Sequence, residues 1–113
     1  METPQISIVA PLYNETASFP HLIARLNKLM DAQPLTIEVV LIDDGSRDDT
    51  PILMRQLALF DARYHCVFLS RNYGHQLALS AGLAAARAKF NDAWGIAIDG
   101  LGNILVARHI QPS

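Results

Sequence analysis

Residues 37–51 read Ile37-Glu38-Val39-Val40-Leu41-Ile42-Asp43-Asp44-Gly45-Ser46-Arg47-Asp48-Asp49-Thr50-Pro51, and this stretch sets the architecture. Its first six residues are apolar apart from Glu38, which suits a strand buried on both faces of a sheet. The run stops at an acidic pair followed by glycine, a turn signal. Thr50-Pro51 then opens a helix, with a hydroxyl to cap it and a proline where a missing N–H costs nothing. Leu53, Met54, Leu57 and Ala58 supply that helix's buried face. Strand, turn and helix in succession begin a βαβ unit.

The same rhythm recurs on either side. Ile6-Ser7-Ile8-Val9-Ala10, closed by Pro11, is a first strand. After the polar turn Asn14-Glu15-Thr16, Ser18 caps a helix with Leu22, Ile23, Leu26, Leu29 and Met30 on one face, ending at Asp31-Ala32-Gln33-Pro34. Cys66-Val67-Phe68-Leu69 is a third strand. The Ala- and Leu-rich segment from His75 to Lys89 follows as a helix despite Gly82, and Ala93 to Ile98 is a fourth strand. The strands begin near residues 6, 37, 66 and 93, at intervals of 31, 29 and 27, the pitch of repeated βαβ units. The fold expected is α/β, an open and mostly parallel Rossmann-like sheet over residues 1–100. Residues 101–113 form a divergent tail. In it the glycine-rich turn Gly100-Leu101-Gly102-Asn103 leads into Ile104-Leu105-Val106-Ala107, a C-terminal β-hairpin.

Composition narrows the function classes. The chain has 113 residues, half of them hydrophobic and 18% charged, which fits one compact domain and argues against disorder. Nine Lys and Arg against eleven Asp and Glu give a net charge of −2, so no general affinity for nucleic acid or anionic membrane is expected. The single Cys66 cannot form an intrachain disulfide or a thiolate zinc site. No leader and no run of roughly 20 apolar residues occurs, so neither a secretory signal nor a spanning helix is expected, and a cytoplasmic location suits.

Ligands of open α/β sheets bind beyond the carboxyl ends of the strands. Those ends carry Pro11, Tyr13, Asn14 and Glu15, then Asp43, Asp44, Gly45 and Ser46, then Ser70, Arg71 and Asn72, then Asp99. Such a set can hold a nucleotide: Tyr13 against the base, carboxylates accepting from base N–H or ribose hydroxyls, Arg71 meeting phosphate. Structural roles stand beside these. Asp43-Asp44 equally suits a solvated turn, Tyr13 equally suits packing, and Arg71 equally suits an ion pair. Asp48 and Asp49 fit helix capping better than ligation. His75 opens a helix and is either exposed or in reach of ligand. His21, His65 and His109 lack metal-ligand spacing. Cys66 and Trp94 fit the core, and Gly82 fits close helix packing.

Taken in order, these segments resemble a known family. Ala10-Pro11-Leu12-Tyr13-Asn14-Glu15 resembles the opening of family 2 glycosyltransferases of the GT-A fold. Val39 to Thr50 is similar to that family's second-strand motif. Phe68-Leu69-Ser70-Arg71-Asn72-Tyr73-Gly74-His75-Gln76, with Ala81-Gly82-Leu83, resembles the subgroup acting on polyprenyl-phosphate acceptors, which includes dolichyl-phosphate mannosyltransferase. The resemblance covers about residues 5 to 100. It implies the nucleotide-binding half of a GT-A fold that takes a UDP- or GDP-linked sugar and transfers a hexose to a lipid phosphate, peripherally at a membrane. Pro11, Tyr13, Glu15 and Asp43 would meet base and ribose, with Asp44 close by and Arg71 and Gln76 nearer the pyrophosphate. Asp99 corresponds to the first acid of the Asp-X-Asp motif, which holds magnesium or manganese.

The sequence departs from that pattern after Asp99-Gly100, where Leu101-Gly102-Asn103 replaces the second acid. No acid for the acceptor side follows within these residues. The chain is therefore expected to be a truncated or shortened donor half with impaired turnover. A different class is a non-catalytic nucleotide-binding or assembly module, in which the bare sheet edge pairs with a second copy. A receiver-like signalling domain fits less well, since its paired acids follow the first strand.

Overall fold

A computed structural model of the chain describes residues 3–87, 94–98 and 104–108. Its elements run β1 (Ile6–Leu12), α1 (Phe19–Asp31), β2 (Ile37–Asp43), α2 (Thr50–Phe60), β3 (Tyr64–Phe68), α3 (His75–Ala85), β4 (Trp94–Ile98) and β5 (Ile104–Arg108). They form one sheet in the order β3-β2-β1-β4-β5. β1 pairs in parallel with β2 and β4, β2 in parallel with β3, and β5 antiparallel with β4. The expected parallel sheet and closing hairpin partners are both present.

The alternation of side chains along β1 and β2 explains the layering. Ile8, Ala10, Leu12, Val39 and Leu41 pack with Phe19, Ile23, Leu26 and Met30 of α1 and Met54 of α2. Val9, Val40 and Ile42 face the opposite way, onto Ala78, Leu79 and Leu83 of α3. Every residue of β2 is buried, as its unbroken apolar run requires. Two crossovers move outward with helices on one face, and the third returns across the sheet. Uniform crossover handedness then places α3 on the other face. Close approach of α3 is made at Gly82, where a Cβ would sit 2.3 Å from both Ile42 Cδ1 and Val9 Cγ1.

Several local expectations shift. β3 begins at Tyr64 and ends at Phe68, not Cys66 to Leu69, because the Asp61–Arg63 turn delivers Arg63 O to Val39 N at 2.8 Å and starts the ladder there. Leu29 is 39% exposed, on the outer side of α1. Ser18 stands at the N-cap of α1 but makes no side-chain cap; its hydroxyl donates to the Glu15 carboxylate. Thr50 lies inside α2, with Asp49 at the N-cap position, because its hydroxyl is drawn to Asp48. α3 closes at Ala85, and Ala86 is already extended.

The turn out of α3 is fixed by a buried acid. Glu38 on β2 accepts from Ser7 Oγ on β1, from Arg87 N at 2.6 Å and from Arg87 Nε at 3.3 Å, with His65 Nε2 3.7 Å away. A carboxylate inside a sheet is tolerated only when partners surround it in this way. Residues 88–93, residues 99–103 with Asp99 and the glycine-rich turn expected there, residues 109–113 with His109, and the side chains of His75 and Trp94 lie outside the described residues.

Candidate functional site

Strand order reverses between β1 and β4, so the crevice that such sheets use for ligands opens beyond the carboxyl end of β1. Among the described residues the β1–β4 ladder covers Ser7 to Val9, and Pro11 lies beyond those pairs, at the end of the strand where a missing N–H is tolerated. Leu12 is level with Asp43, and β1 and β2 release their loops side by side.

These two loops are laced together. Asn14 adopts φ 51°, a left-handed conformation that asparagine tolerates. Its N–H donates to Ser46 Oγ at 2.9 Å, and its Oδ1 accepts Arg47 N at 2.9 Å. Glu15 N donates to Thr50 Oγ1 at 2.9 Å. The Thr16 hydroxyl donates to the Asp48 carboxylate, which also accepts Thr50 N at 2.9 Å and the Thr50 hydroxyl at 2.6 Å. Desolvation works against the charged form of Asp48, but hydrogen bonds from Thr16 and Thr50 outweigh it and hold its pKa at about 2. Asp48 is therefore a bracket for the loop and the helix start.

The loop after β3 is held just as firmly. Asp44 N donates to Leu12 O at 2.8 Å, and the Asp44 carboxylate accepts the N–H groups of Tyr73 at 2.8 Å and Gly74 at 3.1 Å. Gly45, at φ +74°, lies against the backbone of Arg71 and Asn72. The loop thus presents Arg71 to solvent, its guanidinium 4.8 Å over the Tyr73 ring, while Tyr73 Oη and Ser70 Oγ are 3.2 Å apart. Gly74, at φ +97°, then admits α3, with Gln76 exposed in its first turn.

Asp43 differs from its neighbour. It is 3% exposed, and among the described residues its two carboxylate oxygens share a single donor, Ser46 N, at 3.3 Å. An ionised carboxylate has about four acceptor positions, so most of its capacity is unspent. Pro11 is buried, and Tyr13 and Glu15 are half-buried. Pro11, Tyr13, Glu15, Asp43, Asp44 and Arg71 therefore share one edge, with Gln76 at its α3 side and Asp99 outside the described residues. Sequence inspection did not single out the Asn14–Ser46 and Thr16–Asp48 lacing; the one available signal was the density of short polar residues in both loops. Among the described residues no group of three or more His, Cys, Asp or Glu could hold a metal ion. Asp44 is spent on backbone donors, so the described residues do not fit a divalent-cation centre.

A parallel sheet with its polar loops gathered at the strand reversal is the architecture of a nucleotide-binding α/β domain. The profile of glycosyl transferase family 2 matches residues 7–99, and the chain belongs to that family. It is 45% identical over 78 residues to an undecaprenyl-phosphate 4-deoxy-4-formamido-L-arabinose transferase of Pseudomonas syringae, covering 68% of this chain and 23% of that protein. It is 37% identical over 83 residues to an uncharacterised glycosyltransferase, YkcC, of Bacillus subtilis, covering 74% and 26%. The chain spans about a quarter of the length of the curated relatives it matches. Among solved structures it resembles TarS residues 1–349 of S. aureus at TM-score 0.67 and 22% identity, covering 84% of this chain and 27% of that one. It also resembles a Pyrobaculum calidifontis mannosyltransferase in complex with GDP-Man and Mn2+, at TM-score 0.66 and 24% identity, covering 88% and 28%. These two likenesses establish the GT-A fold. No helix among the described residues is long and apolar enough to cross a membrane.

Proposed function

We propose that these 113 residues hold the nucleotide of a UDP- or GDP-linked sugar, as the donor side of a glycosyl transfer to a polyprenyl phosphate at a membrane surface. The observation that carries the reading is Asp43, a buried carboxylate at the carboxyl edge with one shared donor and capacity for more. A base N–H or a ribose hydroxyl is the donor such a group lacks. Tyr13 and Glu15, on the loop after β1, offer an aromatic face and a second acceptor at the same edge. Arg71, exposed on a loop fixed from beneath, suits the diphosphate. Asp44 acts from below, holding that loop in place. The relatives named for undecaprenyl-phosphate substrates support the lipid-phosphate acceptor.

Magnesium or manganese, the latter present in the Pyrobaculum calidifontis mannosyltransferase complex, would here draw on Asp99. Neither an acceptor-activating base nor a complete cation site is among the described residues, so the 113 residues alone are expected to bind donor and to turn over negligibly.

Calorimetric titration with UDP and with GDP, with and without manganese, tests the reading on the wild type and on Asp43→Ala. Binding of one nucleotide, weakened about tenfold or more by the substitution, is expected for the loss of one charge-assisted hydrogen bond. Failure of both nucleotides to bind overturns it, and so does binding that ignores the substitution. Metal-dependent sugar transfer by the 113 residues would overturn the claim of negligible turnover.

A further inference from the structure

Arg71 stands on an acidic edge and, among the described residues, makes no ion pair. The acids around it are taken by other donors. Asp44 accepts the N–H groups of Tyr73 and Gly74, Asp43 that of Ser46, and Glu15 the Ser18 hydroxyl, while Asp48 serves Thr16 and Thr50. What meets the guanidinium is a ring: Arg71 Cζ lies 4.8 Å over Tyr73. A cation held by an aromatic face has no counter-charge beside it and keeps most of its N–H donors open. An arginine paired to a carboxylate would have little of either to offer a ligand.

The Tyr73 ring is itself held at both ends. Its main-chain N–H donates to Asp44 Oδ1 at 2.8 Å, and its hydroxyl lies 3.2 Å from Ser70 Oγ. Hydrogen bonds from Ser70, and then from Arg71, also hold the phenol below its ordinary pKa. Yet the ring adds little to the core, since Tyr73 is 42% exposed and joins neither apolar cluster. Its main chain braces the loop, and its side chain is given to Arg71. An unsupported arginine on a loop samples many rotamers, and meeting an anion costs it that freedom. The ring removes much of that cost in advance.

We propose that Tyr73 is a positioning residue, whose ring holds the Arg71 guanidinium ready for the phosphate oxygens of a nucleoside diphosphate. This deepens the nucleotide reading above and rests on it. Gly45 follows Asp43 closely in the chain and lies against the backbone of Arg71. Asp43 and the Arg71 loop are therefore within the span of one nucleotide, with a donor group for the acid at one end and phosphate for the arginine at the other. Planar, forked recognition of phosphate is the task for which a guanidinium must be oriented and not merely present.

Titration followed by NMR, without added metal, tests this with UDP, GDP, uridine and guanosine. The proteins are the wild type, Tyr73→Ala, Tyr73→Phe, Arg71→Ala and the double variant Tyr73→Ala/Arg71→Ala. Tyr73→Ala leaves the main-chain bond to Asp44 in place, and thermal unfolding confirms that each variant is folded. The diphosphate that binds should weaken about three- to tenfold in Tyr73→Ala, the cost of ordering one freed side chain. Its nucleoside should bind as it does to the wild type. Tyr73→Phe keeps the ring and should restore most of the loss, and Tyr73→Ala should add nothing once Arg71 is alanine. Equal weakening of nucleoside and diphosphate overturns the proposal, because a loosened site acts on both. So does a Tyr73→Ala protein that binds diphosphate as the wild type does, a Tyr73→Phe protein as weak as Tyr73→Ala, or an additive loss in the double variant. If the wild type binds nucleoside as tightly as diphosphate, this proposal falls and the nucleotide reading stands. If it binds neither UDP nor GDP, both fall.

Discussion

Gly45 and Arg71 meet backbone to backbone: a Cβ on Gly45 would stand 2.2 Å from the Arg71 carbonyl carbon and 2.4 Å from Asn72 N. Both obstructing atoms are main chain, so neither can swing aside. The loops after β2 and β3 therefore form one body, and the position of Arg71 is set by a residue that touches no ligand. Gly45→Ala is expected to cost about 2–4 kcal/mol, from a side chain forced into the left-handed region and from main-chain overlap. Urea unfolding measures the cost. Nucleotide affinity should fall with it, since Arg71 loses its seat.

Asp44 supplies the polar half of the same lock. It is 2% exposed, and both carboxylate oxygens accept main-chain N–H groups of the next loop. Asp44→Ala removes two charge-assisted acceptors from a buried position and should destabilise by about 2–3 kcal/mol. Asp44→Asn keeps the shape but turns one acceptor into a donor facing a donor, so it should recover less than half of the loss. Full recovery by asparagine would mean that charge is irrelevant at this position.

Acid should loosen the lacing between the loops after β1 and β2. Despite desolvation, the hydrogen bonds from Thr16 and Thr50 hold Asp48 at about 2 in the folded chain, against 3.8 for an ordinary aspartate, so folding favours its ionised form. The stabilisation is complete above the unfolded value and is lost as pH falls from about 4 through 2. The residue is exposed, so solvent screening keeps the effect small. Comparing the wild type with Asp48→Asn by urea unfolding at stepped pH, the wild type should lose stability more steeply within that window. Parallel curves would assign the acid response to other carboxylates.

The strands and their order of appearance were legible because β1 and β2 are continuous apolar runs with no helical period, closed by proline or an acid pair. Gly82 was legible as a packing glycine because an alanine-rich helix offers little other reason for it. The start of β3 was missed by two residues, since His65 interrupts its apolar pattern; Tyr64 is nevertheless buried, and its hydroxyl donates to Asn27 at 2.6 Å. The division of labour between Asp43 and Asp44 could not be seen. Two adjacent acids look alike in sequence, yet one ends a strand with spare acceptors and the other reaches Tyr73 and Gly74, about 30 residues away. The same holds for Asn14 with Ser46 and Thr16 with Asp48. Such contacts are fixed by which strands are neighbours, and local pattern carries no record of that.

Glu38 allows the site to be separated from the scaffold. Its carboxylate is buried at the amino edge, far along β2 from Asp43, and ties Ser7 and Arg87 together where the chain leaves α3. Glu38→Ala removes the acceptor for the Arg87 N–H and one member of the ion pair. Arg87 is exposed, so water can take up its charge, and the cost should lie near the low end for a broken buried pair, about 2–3 kcal/mol. Under conditions where the variant stays folded, its affinity for UDP or GDP should match the wild type, because the loops after β1, β2 and β3 are held by Asp44, Gly45 and Asp48 instead. Loss of nucleotide affinity equal to that of Asp44→Ala would show that the end of α3, and not the lacing at the carboxyl edge, positions the site.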